Sequence, residues 1–342
     1  MQLPQVGQQE DVLQRRDPVH AHTRVRHQGR LAQRQHDLTH EVKNYQYWVI
    51  TTHAQHGRRT YVRRMGTTLL TSVQLARFVS HGYLRMDAVV PDEMNQEALE
   101  LLPNGIPDVP YGIPVADAYP SGSFPRRLLE LPEVAGALQA LVGPDPAVDH
   151  HAVHVREPHE GHAQALHGDA IIDVRPDAFD VQLMYYPQRV SPDMGGTLVV
   201  PGSHLRRTNE SDTGRYQNLR GQTRLVCPAG TVLLLHHGIW HGGRRNDSDL
   251  RRYMFKIRFN PTVPQVRLWD TADMADPEVA AELSRYFPWY EQATGRLEIY
   301  NRVLLWRALT GDRSFDVDHW VTRVTNRPAL SSAPSSALRS HA

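Results

Sequence analysis

The run GTVLLLHHGIWHGGRRNDSDLRRYMFKIRF, residues 230–259, decides how the rest of the chain is read. It opens on Gly230, continues as an apolar strand over 231–236, and carries His236, His237 and His241. The polar cluster Asn246-Asp247-Ser248 makes a turn, and 252–259 is a second strand. Further short β runs precede these two, at 150–156, 181–187, 197–201 and 223–227. Short strands at this spacing predict a sandwich or jelly roll rather than a parallel sheet.

Helical signals flank the strands. Thr71-Ser72-Val73-Gln74 has the form of a capping box, with Leu75, Phe78 and Val79 on one face and Gly82 as a stop. Tyr83–Met86 is a short strand, and a second helix runs from Pro91 to Leu102 with acidic residues in its first turn. The Pro-, Gly- and Tyr-rich stretch 103–125 is expected to be a long loop. A helix over 132–142 ends at Gly143, and helical texture returns at 273–286 and 296–309. The expected fold is mainly β with flanking helices: a double-stranded β-helix, or cupin-like jelly roll, with its core at 148–262.

Residues 1–64 read differently. Gln, Arg and His dominate there, and the stretch cannot bury enough surface to offset the entropy of ordering it. A disordered extension, or a start assigned upstream of Met65, is expected, followed by one domain over 65–325 and a disordered tail over 326–342. Seven of the 20 histidines fall in the first 64 residues, which accounts for part of that excess.

The 38 basic and 37 acidic side chains nearly cancel, which gives no electrostatic footprint for nucleic acid or a membrane surface. Cys227 is the only cysteine, which excludes an internal disulfide and a cysteine-based zinc cage. No run of about 18 apolar residues exists, and the N-terminus lacks a signal-peptide core. A soluble, cytoplasmic setting is expected. Oligomeric state is not readable from sequence.

The chemistry sits at Ala165-Leu166-His167-Gly168-Asp169. Residues i and i+2 at a strand end project to one side, so His167 and Asp169 can reach one ion. A third ligand would come from His236, His237 or His241. Two histidines and one carboxylate form the facial set of non-haem Fe(II) oxygenases, which leaves open positions for a 2-oxo acid and O2. The same donors also suit zinc, so a metal-dependent hydrolase or isomerase is an alternative, as is a non-catalytic binding protein.

Four segments in order, QALHGD (164–169), VQLMYY (181–186), GGTLVVPGSH (195–204) and GTVLLLHHGIWHGGRRNDSDLRR (230–252), resemble the phytanoyl-CoA dioxygenase family of iron- and 2-oxoglutarate-dependent oxygenases. LTSVQLARFVSHGYLRM resembles that family's opening helix and strand. The resemblance implies Fe(II) held by His167, Asp169 and His241, with 2-oxoglutarate and O2 as co-substrates and a small-molecule substrate. It places the 2-oxoglutarate-binding arginine at Arg252, whose guanidinium fork suits a carboxylate, and an aromatic pocket residue at Tyr185. Arg251 should face the other way. Relatives often carry a hydroxyl residue two places after the distal histidine, where this chain has Gly243. Relatives that halogenate carry Gly or Ala in place of Asp169, so hydroxylation is the expected outcome. His150, His151, His154, Arg156, His159 and His162 are candidates for the pocket wall. Pro201-Gly202-Ser203-His204 is expected to be a structural turn and Trp240 a packing residue.

Overall fold

The computed structural model describes residues 49–52, 59–62, 68–169, 179–206, 218–290 and 292–325. The chain divides into two units, 1–65 and 66–342. In the first, β1 (Val49–Thr52) pairs antiparallel with β2 (Arg59–Val62), Val49 opposite Val62. The polar composition of this stretch did not predict that pairing. The rest of 1–64 and the expected tail lie outside the described residues.

The second unit begins with α1 (Ser72–His81), which starts on the predicted box: Gln74 N–H donates to Thr71 Oγ1 and Thr71 N–H to Gln74 Oε1. Gly82 ends it with φ 80°, a left-handed turn that feeds β3 (Tyr83–Met86). Next come α2 (Asp92–Leu101), β4 (Ile113–Pro114), α3 (Val115–Ala118), α4 (Phe124–Glu130) and α5 (Pro132–Val142). The stretch expected as one loop is therefore broken by a two-residue edge strand and two short helices. Proline in the first turn starts α4, because it needs no N–H there.

The strands follow: β5 (Ala147–Arg156), β6 (Val181–Tyr186), β7 (Thr197–Val199), β8 (Thr223–Leu225), β9 (Thr231–His236), β10 (His241–Gly243) and β11 (Arg252–Asn260). They form a six-stranded sheet, β3-β9-β6-β11-β5-β4, and a three-stranded sheet, β10-β7-β8, with every pairing antiparallel. The chain closes with α6 (Pro277–Leu283), α7 (Gln292–Thr310) and α8 (Trp320–Thr325). No helix among the described residues is long and apolar enough to cross a membrane.

The period-two alternation of β6 and β11 divides the large sheet into two faces. Leu183, Tyr185, Phe255, Ile257 and Phe259 join Phe78, Leu128, Leu138 and Trp306 in the helix-covered core. Burying each such side chain is worth about 1.5–3 kcal/mol. Gln182, Met184 and Tyr186 of β6 and Arg252, Met254 and Lys256 of β11 face a cleft that Thr197 of β7 and His241 and Gly243 of β10 close from the small sheet. Two facing antiparallel sheets with helices on one outer face make the jelly roll expected from the strand spacing.

Candidate metal centre

His241 is the first residue of β10, where it pairs with Val199 of β7. On its other side it exchanges main-chain hydrogen bonds with His167, each 2.9 Å. Gly242 permits this approach: a Cβ there would stand 3.0 Å from the Gln164 carbonyl oxygen and 3.1 Å from that of Ala165. Asp169 N–H donates to the His237 carbonyl at 3.0 Å. Main-chain bonds thus fix where each of the three side chains starts.

Their donor atoms converge. The ligating atoms of His167, Asp169 and His241 all lie within 4.8 Å of one another. His167 Nε2 is 3.5 Å from Asp169 Oδ1, and His241 Nε2 is 3.9 Å from Asp169 Oδ2. His167 Nδ1 lies 2.9 Å from the Ala165 carbonyl and His241 Nδ1 3.0 Å from that of Ile239. A carbonyl only accepts, so both rings carry their proton on Nδ1 and turn the Nε2 lone pair inward. Burial opposes ionisation of Asp169. The polar surroundings supplied by His167, His241 and Lys256 outweigh it, so the carboxyl sits below its usual range. Burial likewise holds His241 below the ordinary histidine value, which favours the neutral ring that binds a metal.

His237, the rival third ligand, is oriented otherwise: its Nδ1 accepts from Asp180 N–H at 2.7 Å. His236 stacks on Phe179 and packs against His204. Neither belongs to the converging set among the described residues.

An open cleft lies beside the ligands, lined by His167 and His241 among others. Arg252 lines it, 5% exposed, and donates to the main-chain carbonyls of Met194 and Arg244. Arg251 points away, as expected, to Glu157 at 2.9 Å and the Tyr253 hydroxyl at 3.2 Å. Tyr185 requires a correction. Its ring lies in the helix-covered core against Phe124, and its hydroxyl donates to Asn95 Oδ1 at 2.7 Å. The next residue, Tyr186, lines the cleft instead, because neighbours on a strand face opposite ways. The Tyr186 hydroxyl lies 2.5 Å from Thr197 Oγ1, and both residues line the cleft with Arg252. Two hydroxyl groups thus stand in the cavity where Gly243 supplies none.

Of the other candidates, His154 and Arg156 line the cleft, with Arg156 paired to Glu160. His150 pairs with Asp149, and His151 lies 2.9 Å from the Tyr119 hydroxyl. His159 meets Asp249 on the surface, and His162 is exposed. Ser203 and His204 are structural: Ser203 Oγ accepts from Trp240 N–H, and His204 Nε2 donates to the Val79 carbonyl. Trp240 packs on Trp289. Sequence reasoning missed Gln164, Gln182, Met184, Tyr186, Thr197, Met254 and Lys256 on the wall. For those on β6 and β11, the even-numbered side of Arg252 was the signal that could have found them.

The donor set fits a divalent transition ion with open positions, and Fe(II) foremost, since two imidazoles and a carboxylate are its usual oxygenase ligands. Fold and centre together define a jelly-roll protein with a two-histidine, one-carboxylate metal site. Residues 115–254 match the family model described as phytanoyl-CoA dioxygenase (PhyH), so the family likeness read from the motifs holds over that segment. L-proline trans-4-hydroxylase of Streptomyces griseoviridis is 26% identical over 165 residues, which cover 39% of this chain and 62% of that protein. An uncharacterized protein of Mycobacterium tuberculosis is 26% identical over 123 residues, covering 35% and 44%. The chain thus spans less than two thirds of the curated relatives it matches. Among solved structures, HygX of Streptomyces hygroscopicus with nickel and 2-oxoglutarate bound shares 19% identity at a TM-score of 0.46, covering 60% of this chain and 91% of that one. The carbocyclase SnoK from nogalamycin biosynthesis shares 19% at 0.44, covering 57% and 87%.

Proposed function

We propose that this protein is an Fe(II)- and 2-oxoglutarate-dependent oxygenase that hydroxylates a small molecule. The observation that carries the reading is the convergence of His167, Asp169 and His241 at a cleft whose wall His167 and His241 share with the buried Arg252. An Arg with no carboxylate partner among the described residues, in one cleft with His167 and His241, suits an acid that also chelates the metal. A hydrolase has no use for such a clamp.

Iron bound there supplies the coupling of 2-oxoglutarate decarboxylation, giving succinate and CO2, to the transfer of one O2 oxygen into a C–H bond. The chain's residues do the rest. His167 and His241 offer neutral nitrogens whose orientation is set by the carbonyls of Ala165 and Ile239. Asp169 supplies the negative charge and fills the position that a halide would need. Arg252, with the hydroxyls of Tyr186 and Thr197 beside it, holds the distal carboxylate of 2-oxoglutarate and so sets its reach to the metal. Met184 and Met254 give the wall an apolar part that excludes water from the reacting carbon. L-proline trans-4-hydroxylase among the curated relatives supports hydroxylation of a small molecule.

The test is anaerobic titration with Fe(II) and then 2-oxoglutarate, followed by the visible metal-to-ligand charge-transfer band. The band should form in the parent, fail in Asp169→Ala and need more 2-oxoglutarate in Arg252→Ala. Tight zinc binding with no iron band would instead establish a hydrolytic metal site.

A further inference from the structure

Four even-numbered residues of β11 share one side of the strand: Arg252, Met254, Lys256 and Arg258. Their charges are handled differently. Arg258 is compensated twice, by Asp180 Oδ2 at 2.7 Å and Asp149 Oδ2 at 3.5 Å. Lys256 lines the cleft with no hydrogen bond or ion pair among the described residues. It stands four residues from Arg252, about 13 Å of backbone rise along the strand.

A second observation falls at the same place. Gln182 of β6 lies directly across from Arg258, on the same face as Lys256 and diagonal to it. Its side chain lines the cleft at 1% exposure, and neither its amide nitrogen nor its oxygen has a partner among the described residues. Buried polar atoms are ordinarily satisfied, and leaving one bare is costly. A carboxamide with bare polar atoms, diagonal to an ammonium that forms no ion pair among the described residues, offers a donor pair for an anion on the cleft wall.

We propose that Lys256 and Gln182 bind a carboxylate of the substrate, so that the molecule oxidised is a small organic acid anchored by its acid group. The inference rests on the iron and 2-oxoglutarate reading above. Under that reading, one carboxylate of 2-oxoglutarate lies on Arg252 and the other on the metal, so neither is left for Lys256. Lys256 lines the same cleft as His167 and His241, so a carboxylate held there shares the cavity with the metal ligands. The carbon oxidised would then be a few bonds from the anchoring acid.

The probe is propionate, with propionamide as its neutral isostere, titrated into protein loaded anaerobically with Fe(II) and 2-oxoglutarate. Propionate should perturb the charge-transfer band saturably and propionamide should not. Lys256→Met and Lys256→Gln should each abolish the response, and Gln182→Leu should weaken it about tenfold. All three should bind 2-oxoglutarate within about twofold of the parent. The use of both Lys256 variants guards against a misfolded one. Equal effects of acid and amide would overturn the proposal. So would a loss of 2-oxoglutarate affinity in Lys256→Met, which would assign the ammonium to the cosubstrate. If the parent forms no band, the iron reading fails by itself. The anion site is then read by saturation-transfer NMR of propionate on Arg252→Ala protein without metal. A signal that disappears on adding Lys256→Met keeps the site, and an unchanged or absent signal removes it.

Discussion

Arg252 is a buried cation whose only partners among the described residues are main-chain carbonyls, those of Met194 and Arg244. These carbonyls aim the guanidinium without neutralising it. Under the proposed function, replacing it by alanine would remove a charge-assisted contact to 2-oxoglutarate worth about 2 kcal/mol or more. Arg252→Ala should therefore raise the 2-oxoglutarate Kd by about thirtyfold or more, with Fe(II) affinity little changed, as read from the charge-transfer titration. The adjacent tyrosines give a sharper pair. Tyr186→Phe removes a hydroxyl from the Arg252 end of the cleft and should weaken 2-oxoglutarate by about fivefold to tenfold. Tyr185→Phe should leave that affinity alone and cost about 1–2 kcal/mol of stability, because Asn95 Oδ1 loses its buried donor. Denaturant unfolding and cosubstrate titration on both variants separate the two effects. The same pair marks a limit of reading residues without a structure. The motif VQLMYY located the strand, but a shift of one residue exchanges its faces. His167 and Asp169 were legible from their two-residue spacing, which survives any such ambiguity, whereas His241 stood out from His236 and His237 only through the family resemblance.

Among the elements, the turn between β10 and β11 is held by one side chain. Asn246 is fully buried. Its Nδ2 donates to the carbonyls of Arg156 at 3.2 Å, Glu157 at 3.1 Å and Leu250 at 2.7 Å. Its Oδ1 accepts from the Ser248 amide at 3.2 Å and hydroxyl at 2.7 Å. The amide thus ties the end of β5 to the turn from which Arg252 departs. Asn246→Ala leaves these carbonyls bare and should cost about 2–3 kcal/mol, seen as a lower urea midpoint with an unchanged m-value. Because the turn sets the start of β11, the same variant should weaken 2-oxoglutarate although Asn246 is not among the residues lining the cleft. Elements with local signals were read closely: the capping box at Thr71, the stop at Gly82 and strand 231–236 stand where expected. β10 escaped notice. It is three residues long, and its existence depends on Val199 and His167, which are distant in sequence. β4 is a two-residue edge made by pairing with β5 for the same reason. Non-local pairing leaves no periodicity in so short a segment.

At the scale of the molecule, two buried histidines, His204 and His236, and the half-buried His81 make its stability depend on pH. His204 packs between α1 and His236, with Nε2 donating to Val79 O and Nδ1 buried without a partner. Burial lowers its pKa to about 3, with the charge of Arg302 adding to the effect. Burial takes His81 down to about 4, against an opposing pull from Glu282. His236, fully enclosed, is held well below the ordinary value, again chiefly by burial. In the unfolded chain each ring returns to the ordinary value of 6.5. Between 6.5 and the folded values the unfolded chain binds more protons, so stability rises with pH in this window and is lost as pH falls. Each ring contributes a slope of about 1.4 kcal/mol per pH unit once the pH is below 6.5. Tm should therefore be nearly flat from pH 8 to 7 and fall steeply between 6 and 5. His204→Phe should flatten that fall even if the variant starts from a lower Tm, because an apolar ring has no proton to gain. These three rings are not among the metal ligands, so the fall should persist in Asp169→Ala protein. That variant separates acid unfolding of the barrel from acid release of the metal. A Tm that does not change down to pH 5 would mean that the folded chain accepts these protons freely, and that the rings are hydrated rather than enclosed.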